Sequence, residues 1–212
     1  MLLSASLFTL TVAIVGVSVD GYPDWANEKR FGKFQDAWTS IGQDPSVIYY
    51  LARTDYKDDV GSWGEGFKCV AVRETNKNDE EKSVMSHFFY KNKQTPEGEV
   101  NEVTEKVTAI KEYGYQDVYN AIQYHLENGN TLNDTLVFSD GVSCDLFQVP
   151  YANSGAGGFE LWVNGENIRN IPKYCDFLFK YFSKKEEEFT IYNEDDCKDV
   201  VEHVNASKEP HA

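Results

Sequence analysis

The chain has 212 residues, with 20 lysines and arginines against 35 aspartates and glutamates, for a formal net charge of −15. So acidic a surface disfavours nucleic acid and anionic membrane as partners and favours cations. The apolar content of 41% is enough for one packed domain, and four cysteines allow two disulfides in three alternative pairings.

In chain order, the apolar run at 7–19 followed by small residues reads as a secretory signal, too short for a membrane span. Cleavage after Gly21 would leave a mature domain of 22–212 with a charge of 20 − 34 = −14, because Asp20 is lost. A short helical turn is expected at 36–41. Eight strands are then predicted at 47–56, 67–75, 83–92, 103–113, 119–127, 134–139, 144–150 and 159–163, separated by turn chemistry such as Asn76-Lys77-Asn78-Asp79, Asn128-Gly129-Asn130 and Asp140-Gly141. The segment 167–184 contains Ile168, Ile171, Phe177, Leu178 and Tyr181, and a helix is expected after Pro172, packed on the outside. The acidic tail from 186 onward is tied down at Cys197 and expected to fray beyond it. Eight short strands and one late helix predict an all-β fold, an eight-stranded antiparallel up-and-down barrel around a small ligand. The sequons at Asn133 and Asn205 are candidate glycosylation sites, in keeping with secretion.

Side chains alternate across a strand, so in Phe159-Glu160-Leu161-Trp162-Val163 the residues Glu160 and Trp162 share one face and the apolar triplet the other. If the triplet packs under another element, Glu160 points into an enclosed space beside an indole. A buried carboxylate without a partner is costly, so a cationic ligand is the expected partner. Glu105 likewise alternates with Val103, Val107 and Ala109, Asp134 with Leu136 and Phe138, Asp145 with Phe147 and Val149, and Tyr124 with Ile122 and Leu126. Each has a plainer reading. Asp44 and Asp59, at strand ends, suit turns or caps, and Glu105 has Lys106 and Lys111 within reach as ion-pair partners.

Taken together, Pro23-Asp24-Trp25-Ala26, Gln35-Asp36-Ala37-Trp38, Glu81-Lys82-Ser83, Tyr113-Gly114-Tyr115, Cys144-Asp145, Val149-Pro150 and Glu160-Leu161-Trp162 make a specific pattern. By it the chain resembles the tick salivary histamine-binding lipocalins along nearly all of its mature length. The resemblance implies a lipocalin barrel with a C-terminal helix on its wall, disulfides Cys69–Cys197 and Cys144–Cys175, and two amine sites inside one barrel. The first would hold Tyr56, Asp59, Trp63, Glu105, Tyr124, Leu132 and Glu160; the second Ser40, Asp44, Ile122, Asp134, Asp145 and Trp162. The loop carrying Asp59 and Trp63 is one residue longer than the family pattern, so Asp58 is an alternative to Asp59. Ile122 and Leu132 stand where the family pattern has phenylalanine, which implies room for serotonin as well as histamine.

An amine binder needs these residue types. A protonated amine losing water requires a carboxylate, and a desolvated aromatic face adds about 2 kcal/mol. Enzymatic readings find no support, for there is no nucleophile elbow, no zinc motif and no phosphate loop, and His87, His125, His203 and His211 lack ligand spacing. No cofactor and no metal is expected. The sequence thus predicts a secreted salivary protein sequestering histamine, with serotonin as a second ligand, to suppress inflammation at a feeding site. Two alternatives are a scavenger of fatty acids or leukotrienes, whose lumen should offer a lysine or arginine, and a modulator of an immune protein acting through its surface.

Overall fold

The computed structural model describes residues 21–59, 61–126, 128–183 and 187–207. The signal-like run at 7–19 lies outside the described residues. Eight strands form the barrel: β1 Ile48–Thr54, β2 Lys68–Asn78, β3 Ser83–Lys91, β4 Asn101–Ile110, β5 Ala121–His125, β6 Thr131–Ser139, β7 Cys144–Val149 and β8 Gly158–Asn164. Each pairs antiparallel with its neighbours in chain order, and β8 pairs back onto β1, so the sheet closes. Closure removes the unpaired sheet edges that an open sheet would present.

Strand alternation sorts the side chains into two cores. Tyr49, Leu51, Val70, Val84, Phe88, Val107, Ile122, Leu136, Phe147 and Trp162 fill the barrel. Ile48, Tyr50, Ala71, Phe89, Leu146, Leu161 and Val163 pack outward under the C-terminal segments. Helix α1 (Glu28–Phe31) precedes the expected turn, which is helix α2 (Ala37–Ile41). Asp36 caps α2 by accepting from the Trp38 amide (3.1 Å) and Thr39 Oγ1 (2.8 Å). That cap seats Ala37, Ser40 and Ile41 as buried residues against one end of the barrel.

Two expectations are corrected. Asn76-Lys77-Asn78 is not a turn, because β2 continues through it to Asn78, with a bulge at Asn76 (φ +50°) and the reversal delayed to Lys82 (φ +55°). The tail beyond Cys197 does not fray at once. Phe189–Thr190 adds a short strand to β1, and after helix α3 (Lys173–Ser183), which packs on β7 and β8, a further helix α4 (Lys198–Ala206) packs on β2 and β3 through Val200 and Val204. No described helix is long and apolar enough to cross a membrane.

The disulfides are Cys69–Cys197, which ties α4 to β2, and Cys144–Cys175, which ties α3 to β7. Their sequence separations of 128 and 31 residues correspond to roughly 5 and 4 kcal/mol in a chain-entropy argument. Asn205 is exposed on α4, whereas Asn133 Nδ2 on β6 donates to Glu112 Oε1 (2.9 Å).

Candidate carboxylate-lined chambers in the barrel

Strand β8 places the central group. Leu161 and Val163 face the outer core, so Glu160 and Trp162 point inward, both buried. Glu160 Oε2 accepts from Trp162 Nε1 (2.8 Å), and Oε1 accepts from Trp63 Nε1 (3.4 Å) and from the Tyr56 hydroxyl. Tyr56 reaches it because its ring lies against bare Gly158; a Cβ there would stand 2.3 Å from Tyr56 Cδ1. Trp63, Phe88, Tyr124 and Trp162 form a connected aromatic partition, with ring centroids 5.1 to 6.5 Å apart. The partition divides the interior in two.

At the end closed by the β1–β2 loop lies a chamber of about 80 Å³, lined by Trp63, Tyr90, Glu105, Tyr124, Leu132 and Tyr151 among others. Glu105 faces it with Val103, while Lys106 turns outward to Glu81 (2.6 Å) and Lys111 donates to the Gln116 carbonyl. Asp59 is buried and accepts from the amides of Gly61 (3.0 Å) and Ser62 (3.2 Å). Asp58 is half-buried and accepts from the Gly66 amide (2.8 Å); both acids line a neighbouring pocket with Lys57 and Tyr151.

Asp134 departs from its expected grouping with the second set. It pairs in register with Ile122, yet its carboxyl lies beside the Tyr151 and Tyr124 hydroxyls and within the field of Glu160 and Asp59. Desolvation, then the Glu160 charge, push it well above the usual carboxylate range. Burial likewise raises Glu160 to about 7 against the hydrogen bonds from Tyr56 and Trp162, and raises Asp59. Asp59 Oδ2 and Asp134 Oδ1 are buried with no hydrogen-bond partner.

At the end closed by α2 lies a second chamber of about 50 Å³, where Ser40, Asp44, Ile122, Asp145 and Trp162 all contribute to the wall. Trp162 and Asp145 are cross-strand partners, which brings the indole and the acid to one face. Asp145 Oδ2 accepts from Ser40 Oγ (2.6 Å), and Oδ1 is buried without a hydrogen-bond partner. Burial raises Asp145 to about 6, against the Ser139 and Ser40 hydroxyls. Asp44 matches its plainer reading: it is exposed, accepts from the Ser46 amide (2.8 Å), and the Ser46 side chain and amide lower its pKa.

Glu74 also lines this chamber, as Tyr151 lines the other, and neither was expected. Glu74 alternates with Val70 and Val72, the same signal that marked Glu105. Among the described residues, no lysine, arginine or histidine lines either chamber. Arg53, Lys91, Lys106 and Arg169 pair with acids on the outside. The interior is therefore a set of carboxyls whose pKa values are raised by burial among phenols and indoles.

The family model "Tick histamine binding protein" matches residues 25–199. The chain belongs to this family. It is 37% identical over 186 residues to the male-specific histamine-binding salivary protein of Rhipicephalus appendiculatus, covering 85% of this chain and 90% of that one. It is 35% identical over 153 residues to the female-specific histamine-binding protein 1 of the same tick, covering 72% and 77%. Among solved structures it is similar to Japanin from Rhipicephalus appendiculatus bound to cholesterol (TM-score 0.49, 13% identity, 70% of this chain and 95% of that one) and to a dog lipocalin allergen (0.47, 12%, 80% and 99%). The closed eight-stranded barrel with its short N-terminal helices and C-terminal helix is the lipocalin architecture, and the family is named for ligand binding rather than for a reaction.

Proposed function

We propose that this protein is secreted in saliva and sequesters small protonated amines, histamine first and serotonin second, in the two chambers of its barrel, lowering inflammation where the animal feeds. The observation that carries this reading is the burial of Asp59, Asp134, Asp145 and Glu160 in an aromatic interior whose two chambers are lined by Glu105 on one side and by Glu74 and Asp145 on the other, with no basic side chain among the described residues of either lining. An ammonium entering either chamber gains a charged hydrogen bond and an indole or phenol face, and it removes the cost of ionising a buried acid. The names of the similar tick proteins support histamine as the amine.

A fatty acid fits poorly, because its carboxylate would meet carboxyls rather than a lysine. Histamine has about eight non-hydrogen atoms, and the best ligand efficiencies allow it roughly 12 kcal/mol, a nanomolar ceiling. Calorimetric titration with histamine, serotonin and arachidonate tests the reading. Histamine should bind in up to two events and arachidonate not at all; tight arachidonate binding without amine binding would replace this function with lipid scavenging.

A further inference from the structure

Glu74 sits on β2 with its carboxyl on the wall of the α2-end chamber, where Oε2 accepts from Ser86 Oγ of β3 (2.6 Å). Asp145 lines the same chamber from β7. Around the closed ring the strands run β7, β8, β1, β2, three steps in an eight-stranded barrel, so the two acids stand on nearly opposite walls. Between them lies an apolar belt of Val72, Phe88, Val107, Ile122 and Phe147. Both carboxyls lack a basic partner among the residues lining the chamber, and Asp145 Oδ1 has no hydrogen-bond partner at all.

We propose that this chamber selects ligands with a cationic or N–H-donating group at both ends, aliphatic diamines above all, and that Glu74 is the residue that recognises the second end. The inference rests on the amine-binding reading above and deepens it. A monoamine neutralises one acid and leaves the other to hold a proton or carry an unpaired charge in an enclosed site. A second ammonium takes the place of that proton, while the methylenes lie along the apolar belt. Burial, opposed by the Ser86 hydroxyl, raises Glu74 to about 7, so its proton is exchangeable near neutrality.

The test is calorimetry on the full chain at pH 8 with 1,5-diaminopentane and n-pentylamine, which share a chain length and differ in the second amine. The diamine should bind roughly tenfold or more tightly than the monoamine, the worth of one charged hydrogen bond. Glu74→Gln keeps an acceptor for Ser86 and should bring the two affinities together. Glu74→Asp, which keeps the charge on a shorter arm, should restore the preference and move it toward 1,6-diaminohexane. Equal affinities in the wild type, or a preference that survives Glu74→Gln, overturns the inference. If histamine binds and neither aliphatic amine does, the inference falls and the amine reading stands; if histamine also fails to bind, both fall.

Discussion

Replacing Glu160 by glutamine should make the empty protein more stable at pH 8 and less stable at pH 5. Burial lifts the Glu160 pKa from 4.5 to about 7, so between those values the folded state binds a proton that the unfolded chain has released. That contribution to stability is complete below pH 4.5 and lost as pH rises through about 7, leaving a wild-type deficit of about 3 kcal/mol at pH 8. Glutamine keeps the shape and carries no charge. One of its two terminal atoms is a donor, so it cannot accept both the Trp162 N–H and the pair from Tyr56 and Trp63, which costs about 1 kcal/mol. The net gain at pH 8 is about 2 kcal/mol, or roughly 4–8 °C for a chain of this size. At pH 5, where wild-type Glu160 is already neutral, only the lost hydrogen bond remains and the variant should melt roughly 2–4 °C lower. Scanning calorimetry from pH 4.5 to 8.5 should therefore give crossing curves. The same variant should bind histamine roughly 10- to 100-fold more weakly, because the ammonium loses a charged hydrogen bond. Parallel melting curves with unchanged histamine affinity would show that Glu160 is neither buried at an energetic cost nor a ligand residue.

Histamine affinity should rise with pH from 5 to 8 while the stability of the empty protein falls, because a cation binds the ionised forms of Glu160 and Asp145, whose values near 7 and 6 leave them protonated in mild acid. Titrations near pH 6.5 in buffers of different ionisation enthalpy should register proton release, and zero release would contradict the raised values. Asp145→Asn should abolish one binding event and preserve the other; loss of both would mean a single site. Gly158→Ala should force Tyr56 off its seat and reduce histamine affinity in the chamber at the β1–β2 loop end more than in the other, read as a change in one event only. Leu132→Phe and Ile122→Phe should each lower serotonin affinity relative to histamine in a competition titration, since each refills volume in one chamber; an unaltered ratio would remove the size argument.

The barrel was legible because alternation is a local signal: in 159–163 a single register sets Glu160 and Trp162 opposite an apolar triplet, in 103–109 it puts Glu105 on the face of Val103, Val107 and Ala109, and closure then turns those faces inward. The turn residues Asn76 and Asn78 concealed the end of β2, because a bulge uses the same residue types as a turn. Helix α4 was hidden in a charged tail whose apolar side chains are few, Val200 and Val204 buried and Val201 partly so. Glu74 carried the same alternation as Glu105 and was legible without being read. Asp134 was not separable by sequence. It faces inward as expected, but strand tilt decides which chamber an inward residue serves, and tilt is a property of the closed sheet rather than of one strand. Asp44 fits both of its readings, since it accepts from the Ser46 amide in a turn and also contributes to the wall of the α2-end chamber.

The partition also means that the chambers share a boundary atom by atom. Trp162 walls the α2-end chamber while its N–H is committed to Glu160, whose other oxygen belongs to Tyr56 and Trp63 on the far side. A guest that tilts this indole alters the basicity of Glu160, and a guest that claims Glu160 releases the indole. By reciprocity, whatever the first arrival does to the affinity of the second, the second does equally to the first. Such a molecule would titrate as a coupled pair rather than as two independent wells, and the charge on one side chain would set the sign of the cooperativity.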